Sequence, residues 1–196
     1  MNIVILKYNA GNIRSVDHAL RRLGVEATIT DDHDLIRQAD KVIFPGVGEA
    51  KYTIEYLRNH GLDKLLLELT NPVLGICLGM QLMCSHSEEG DADLLGIFDQ
   101  KVKKFQSPST DFKIPHMGWN TLTDTKSPLF EGISDNEFTY FVHSYYVPVC
   151  EHTIATTDYI HPFSAALHKD NYYATQFHPE KSAGVGERIL KNFLAL

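Results

Sequence analysis

The sequence predicts an α/β protein with a largely parallel central sheet and antiparallel additions in its C-terminal half. The apolar runs "NIVIL" (2–6), "KVIF" (41–44) and "VLGI" (73–76) are rich in β-branched residues and continuously hydrophobic, as strands buried on both faces are. Helix-spaced segments separate them, which gives the strand–helix alternation of a parallel sheet. From Gly96 onward, aromatic and β-branched runs follow one another without helices between them, the pattern of antiparallel strands.

Each element follows from local pattern. After the turn-like "YNAGN", Ile13, Val16, Leu20 and Leu23 recur at helical spacing, and Gly24 ends that helix. "VEATIT" (25–30) alternates as a strand, and "LIRQA" (35–39) suggests a short helix. "KVIF" runs straight into "PGVGEA", and helical patterns cover Tyr52 to Asn59 and Asp63 to Thr70. "VLGI" leads into a helix expected from Leu78 to His86. "GIFDQKVKKF", "FTYFVHSYYV", "HTIATTDY" and "SAALHKDNYYATQF" read as strands, with a hairpin at Lys169-Asp170-Asn171. "GVGERILKNFLAL" closes the chain as an amphipathic helix with Ile189, Leu190, Phe193 and Leu194 inward. No repeat, linker or composition break divides residues 1–196, so one domain is expected.

Composition excludes several functions. A net charge of −7 argues against nucleic-acid binding, and the one dense basic cluster, Lys101 with Lys103 and Lys104, reads as a solvated strand edge. Three cysteines (Cys77, Cys84 and Cys150) make an odd count without paired spacing, which fits free thiols in a reducing compartment. The N-terminus lacks the basic region of a signal peptide. The longest uncharged stretch, Asn71 to Ser87, is broken by Pro72 and two glycines and is shorter than the roughly 20 residues a spanning helix needs. A cytoplasmic location without membrane contact is the expectation. Cys77, Cys84 and His86 lack metal-ligand spacing, so no metal or cofactor is expected. Cys84 and Cys150 read as structural. His18, His33, His60 and His168 lie in polar surroundings, as surface histidines do.

In an open α/β sheet, sites gather at the carboxyl ends of strands. There "GICLG" (75–79) has the form of a nucleophile elbow with Cys77 in place of serine. A sharp turn from strand to helix requires small flanking residues and lifts the thiol to a helix N-terminus, beside the amide of Leu78. The same pattern suits a buried cysteine whose glycines serve helix–sheet packing. A nucleophilic thiol needs a base, and the base an orienting group. "FHPE" supplies His178 and Glu180, which share one side if Gln176 to Glu180 continues the last strand. The glycines of "PGVG" (45–48) let backbone amides face a ligand; G-x-G-x-x-G would need glycine where Lys51 stands, so a dinucleotide loop is excluded, while an anion nest is not.

Together "FPGVGEA", "GICLGMQLM" and "FHPEKS" resemble the class I (triad) glutamine amidotransferases. "YNAGNIRSV", "PHMGWN" (115–120) and "YFVHSYY" (140–146) narrow the resemblance to the glutaminase subunits of imidazole glycerol phosphate synthases in histidine biosynthesis. The resemblance implies a three-layer, flavodoxin-like fold, glutamine as substrate, and a (β/α)8-barrel cyclase as the partner of a heterodimer. It implies a γ-glutamyl thioester on Cys77, with His178 as base and acid and Glu180 as its orienter. It further implies an oxyanion site from the amides of Leu78 and of Val47 with Gly48, in a loop misaligned until the partner binds its substrate. Gly46, Gln81, Ser144 and Tyr145 would hold glutamine, and Asn9, Asn12, Trp119, Tyr140 and Lys181 would lie near the partner interface. Related chains often carry Gly-Met where Asn9-Ala10 stand, and threonine where Ser144 stands. The acidic stretch "SHSEEGDADLLGIFD" reads as a solvated loop. The alternative is a paralogous glutaminase subunit feeding ammonia to a different acceptor synthase, for example in sugar modification.

Overall fold

The computed structural model describes residues 1–8, 11–109 and 112–196. In chain order its strands are β1 Ile3–Leu6, β2 Ala27–Thr30, β3 Lys41–Gly46, β4 Val73–Cys77, β5 Cys84–Ser87, β6 Ala92–Asp93, β7 Phe98–Lys104, β8 His116–Thr121, β9 Phe138–His143, β10 Tyr145–Tyr146, β11 Thr153–Tyr159, β12 His161–Lys169 and β13 Tyr172–Thr175. The helices are α1 Ile13–Arg22, α2 His33–Arg37, α3 Ala50–Asn59, α4 Leu62–Glu68, α5 Leu78–Leu82 and α6 Ala183–Ala195.

A seven-stranded sheet in the order β11-β12-β13-β4-β3-β1-β2 forms the middle layer. Its pairs from β2 to β13 are parallel, and β12 and β11 extend one edge antiparallel. The alternation within each buried strand builds the three layers. Val4, Leu6, Val42 and Phe44 cluster with Ile54, Leu57 and Leu65 of α3 and α4. Ile3, Ile5, Ile43 and Leu74 cluster on the other face with Val16 and Leu20 of α1 and Ile189 and Phe193 of α6. Parallel strands with helices on both faces are the doubly wound arrangement expected of the apolar runs. Two smaller sheets, β10-β7-β5-β6 and β8-β9, complete the C-terminal half. The hairpin at Lys169 to Asn171 joins β12 to β13, with Asp170 in the left-handed region at φ 53°.

One element departs from the prediction. The helix expected from Leu78 to His86 stops at Leu82, and Cys84–Ser87 is a strand. Phe98 and Gly96 donate their amides to the carbonyls of Met83 and Cys84, so pairing with a later segment ends the helix. Such pairing overrides a short apolar period. Cys84 remains fully buried, though on a strand rather than two helical turns beyond Cys77. Burial pushes its thiol well above the ordinary range.

Candidate active site

The carboxyl ends of β3 and β4 lie side by side, with Gly46 paired to Cys77. The Pro45–Gly48 loop and the elbow therefore meet at one edge of the sheet. Cys77 has φ 56°, a left-handed conformation that a non-glycine residue adopts only where its surroundings hold it. The glycines around it serve packing. A Cβ on Gly79 would stand 2.0 Å from the Phe44 carbonyl oxygen of β3, so α5 lies directly on that strand. A Cβ on Gly75 would meet Met83 and Gly79 at 3.0 Å. The two readings of the motif thus combine, since the glycines fit helix to sheet while Cys77 stays 7% exposed on a cavity. Because α5 has only five residues, it gives little axial dipole at the sulfur.

His178 and Glu180 meet without the strand geometry expected of them. β13 ends at Thr175, and Pro179–Lys181 forms a 3₁₀ turn that folds Glu180 back toward the imidazole. His178 Nδ1 donates to Glu180 Oε1 at 2.8 Å, and both side chains are fully buried. With Nδ1 so engaged, Nε2 is the atom left for Cys77, and it takes no other partner among the described residues. Burial opposes protonation of His178, but the Cys77 sulfur and the Glu180 carboxylate outweigh it and raise the imidazole pKa to about 10.

A cavity of about 410 Å³ opens beside the sulfur, a volume within the ordinary range of small-molecule sites. Val47, Gly48, Leu78, Gln81, Ser144 and Tyr145 are among its lining residues. Gly48, at φ 121°, sits where a side chain would strain the loop. Gln81 Nε2 donates to the Tyr145 carbonyl at 3.1 Å and to Gln176 Oε1 at 2.9 Å. Gln176 Nε2 in turn lies 3.7 Å from Cys77 Sγ.

The predicted interface residues separate. Trp119 is about half exposed, its ring 6.0 Å from that of Tyr140, and Lys181 Nζ lies 6.0 Å over the Tyr140 ring, so these three form one surface cluster. Asn12 is instead buried, and its Nδ2 donates to Glu180 Oε1 at 3.3 Å, the same oxygen that accepts from His178. Asn9 lies outside the described residues.

Two participants escaped sequence reasoning. Glu89, expected in a solvated loop, lines the cavity and accepts the Ala50 amide at the start of α3 at 2.8 Å. Its "SEE" context gives no hint of this, because the contact spans 39 residues. Tyr8, buried beneath the loop, donates its hydroxyl to the Pro45 carbonyl, again through a contact distant in sequence.

Among the described residues no cluster of three or more His, Cys, Asp or Glu is arranged to hold a metal, and no helix is long and apolar enough to cross a membrane. The family model for class I glutamine amidotransferases matches residues 4–196. The chain is 65% identical over 196 residues to imidazole glycerol phosphate synthase subunit HisH of Bacteroides thetaiotaomicron, covering all of both chains. It is 46% identical over 200 residues to the subunit of the same name from Yersinia pseudotuberculosis, again over the whole of both. A crystal structure of a glutamine amidotransferase superposes with a TM-score of 0.74 at 19% identity, covering 98% of this chain and 97% of that one, which supports the fold. An elbow cysteine, a buried His–Glu pair and a full-length match converge, and the chain belongs to the class I glutamine amidotransferases and, within them, to the HisH subunits of imidazole glycerol phosphate synthase.

Proposed function

We propose that residues 1–196 act in the cytoplasm as one glutaminase domain, which hydrolyses glutamine through Cys77 and passes ammonia to a separate (β/α)8-barrel cyclase subunit. The cyclase forms imidazole glycerol phosphate and AICAR. The Cys77 thiolate attacks the side-chain amide carbon of glutamine. The resulting oxyanion is met by the Leu78 amide and by amides of the Val47–Gly48 segment once that loop is aligned. His178 Nε2–H gives its proton to the departing nitrogen, ammonia leaves, and a γ-glutamyl thioester remains on Cys77. Water, deprotonated by His178, then attacks the thioester, releasing glutamate and restoring the thiolate. Glu180 holds the imidazole in the tautomer that both steps need, and Asn12 steadies Glu180.

Gln81, Ser144 and Tyr145, with the backbone at Gly46, hold the amino-acid end of glutamine, and Glu89 is the carboxylate suited to its ammonium group. Trp119, Tyr140 and Lys181 face the cyclase. One observation carries this reading: His178 donates Nδ1 to buried Glu180, which leaves its unpartnered Nε2 to serve a cavity-lining cysteine that interacts with the same ring. The test is Cys77→Ala in the assembled two-subunit enzyme. Glutamine-dependent synthesis is expected to vanish while synthesis from added ammonium salt survives; loss of both would contradict the division of labour.

A further inference from the structure

Two buried histidines that take no part in the chemistry above stand opposite each other at the end of the β8–β9 pair, His116 in register with His143. Their hydrogen bonds leave one assignment of protons. His143 Nδ1 lies 2.7 Å from the Tyr145 carbonyl oxygen, which can only accept, so Nδ1 carries the proton. In the neutral ring Nε2 is then a bare acceptor, 3.1 Å from His116 Nδ1, which must be the donor. That leaves His116 Nε2 to accept from Asn120 Nδ2 at 3.3 Å, while the same amide donates to the Asp158 carbonyl at 3.0 Å. The chain of donors thus runs one way, from Asn120 through His116 and His143 to Tyr145. Protonating either ring would set two donors against each other.

The surroundings enforce neutrality. His116 stacks on Phe141 and Tyr159, and His143 packs against Phe105 and Phe163. The ionisable groups around the pair are Tyr159, stacked on His116, and His178, together with Cys77 and Glu89, which line the same cavity as His143. Burial lowers His116 to about 4 and His143 to about 3. The Tyr145 carbonyl at the end of the relay also accepts from Gln81, on the wall of the cavity.

We infer that His116 and His143 are positioning residues, a proton-ordered pair that transmits the alignment of β8 and β9 to the Tyr145 carbonyl and through it to Gln81. The inference rests on the reading of this cavity as the glutamine site. Its structural half is tested without activity by long-range ¹H–¹⁵N spectra of the ¹⁵N-histidine-labelled full chain. Both rings are expected to be neutral with the proton on Nδ1 between pH 5.5 and 8; an Nε2–H tautomer, or titration within that window, overturns it.

The functional half uses His116→Phe, which keeps the stacked ring and deletes the donor, and His116→Asn, whose amide nitrogen replaces Nδ1. In the two-subunit enzyme His116→Phe is expected to raise the KM for glutamine about tenfold, the effect of leaving one buried acceptor unpaired, with a smaller change in kcat. Alkylation of Cys77 by iodoacetamide, which has no amino-acid end, should stay within about twofold of wild type. His116→Asn should restore most of the KM. If both variants are equally impaired while folded, or if His116→Phe leaves KM unchanged, the positioning role fails. If the wild-type enzyme does not hydrolyse glutamine at all, the functional reading fails and the tautomer result still stands.

Discussion

Gly79→Ala is the most demanding test of how the elbow is built. The added Cβ would stand 2.0 Å from the Phe44 carbonyl oxygen, whereas ordinary contact begins at 3.4 Å, so α5 must rise about 1.4 Å from β3. The obstacle is backbone on a central strand and cannot rotate away. A forced fit of this kind costs about 3 kcal/mol, the upper end of the usual overpacking range. The displacement also reaches the reacting atoms, because α5 begins one residue after Cys77 and carries Leu78 and Gln81. Shifts near 1 Å at a reacting centre cost about 100-fold in rate. Gly75→Ala is the control: its Cβ would meet the Met83 side-chain end and the Gly79 carbonyl carbon at 3.0 Å, relieved by a few tenths of an ångström. About 1 kcal/mol and less than tenfold in rate are expected there. Urea unfolding with an unchanged m-value reads the stability, and glutamine hydrolysis by the assembled enzyme reads the rate. A Gly79→Ala protein with wild-type stability and rate, or a Gly75→Ala protein worse than Gly79→Ala, would refute the packing account.

Two further outcomes are expected. Because the folded pKa of His178, about 10, lies above its ordinary 6.5, its contribution to stability is complete below about pH 6.5 and disappears as pH rises through about 10. Glu180→Gln removes one cause of the rise. It should move the alkaline limb of the glutaminase pH profile to lower pH and slow turnover about 100-fold; an unmoved limb contradicts the pairing. Tyr8→Phe strips the Pro45 carbonyl of its buried donor, so about 1–2 kcal/mol of stability should be lost. Glutamine-dependent synthesis should fall more than ammonia-dependent synthesis in the same preparation, and equal losses would deny Tyr8 a role in holding the loop.

Much of the architecture is readable in local pattern. The runs around Ile5, Ile43 and Leu74 have no polar face, and such strands can only lie inside a sheet covered on both sides. Asp170 marks its hairpin through turn chemistry. Cys77 between close glycines advertises a sharp turn, although which neighbour makes those glycines necessary depends on β3, remote in sequence. Legibility fails where the deciding partner is remote. Cys84 to Ser87 becomes a strand through pairing with β7, and Glu89 turns inward toward Ala50. Asn12, on the first helix cap, finds Glu180 across 168 residues. His178 and Glu180 share a hydrogen bond, but a 3₁₀ turn rather than strand alternation brings them together, because Pro179 starts a turn where β13 has already ended. The His116–His143 relay leaves no trace in the periodicity of either strand.

The claim on which the rest depends is covalent chemistry at one sulfur. Acid quenching of the assembled enzyme during turnover of glutamine, followed by fragment-ion mapping, tests it directly, since fragmentation distinguishes Cys77 from the nearby Cys84. The account predicts a γ-glutamyl adduct on Cys77 and none on Cys84 or Cys150, with the adduct lost in Cys77→Ala. Steady release of glutamate with no acylated Cys77 at any quench time, or with the acyl group on another cysteine, would contradict it.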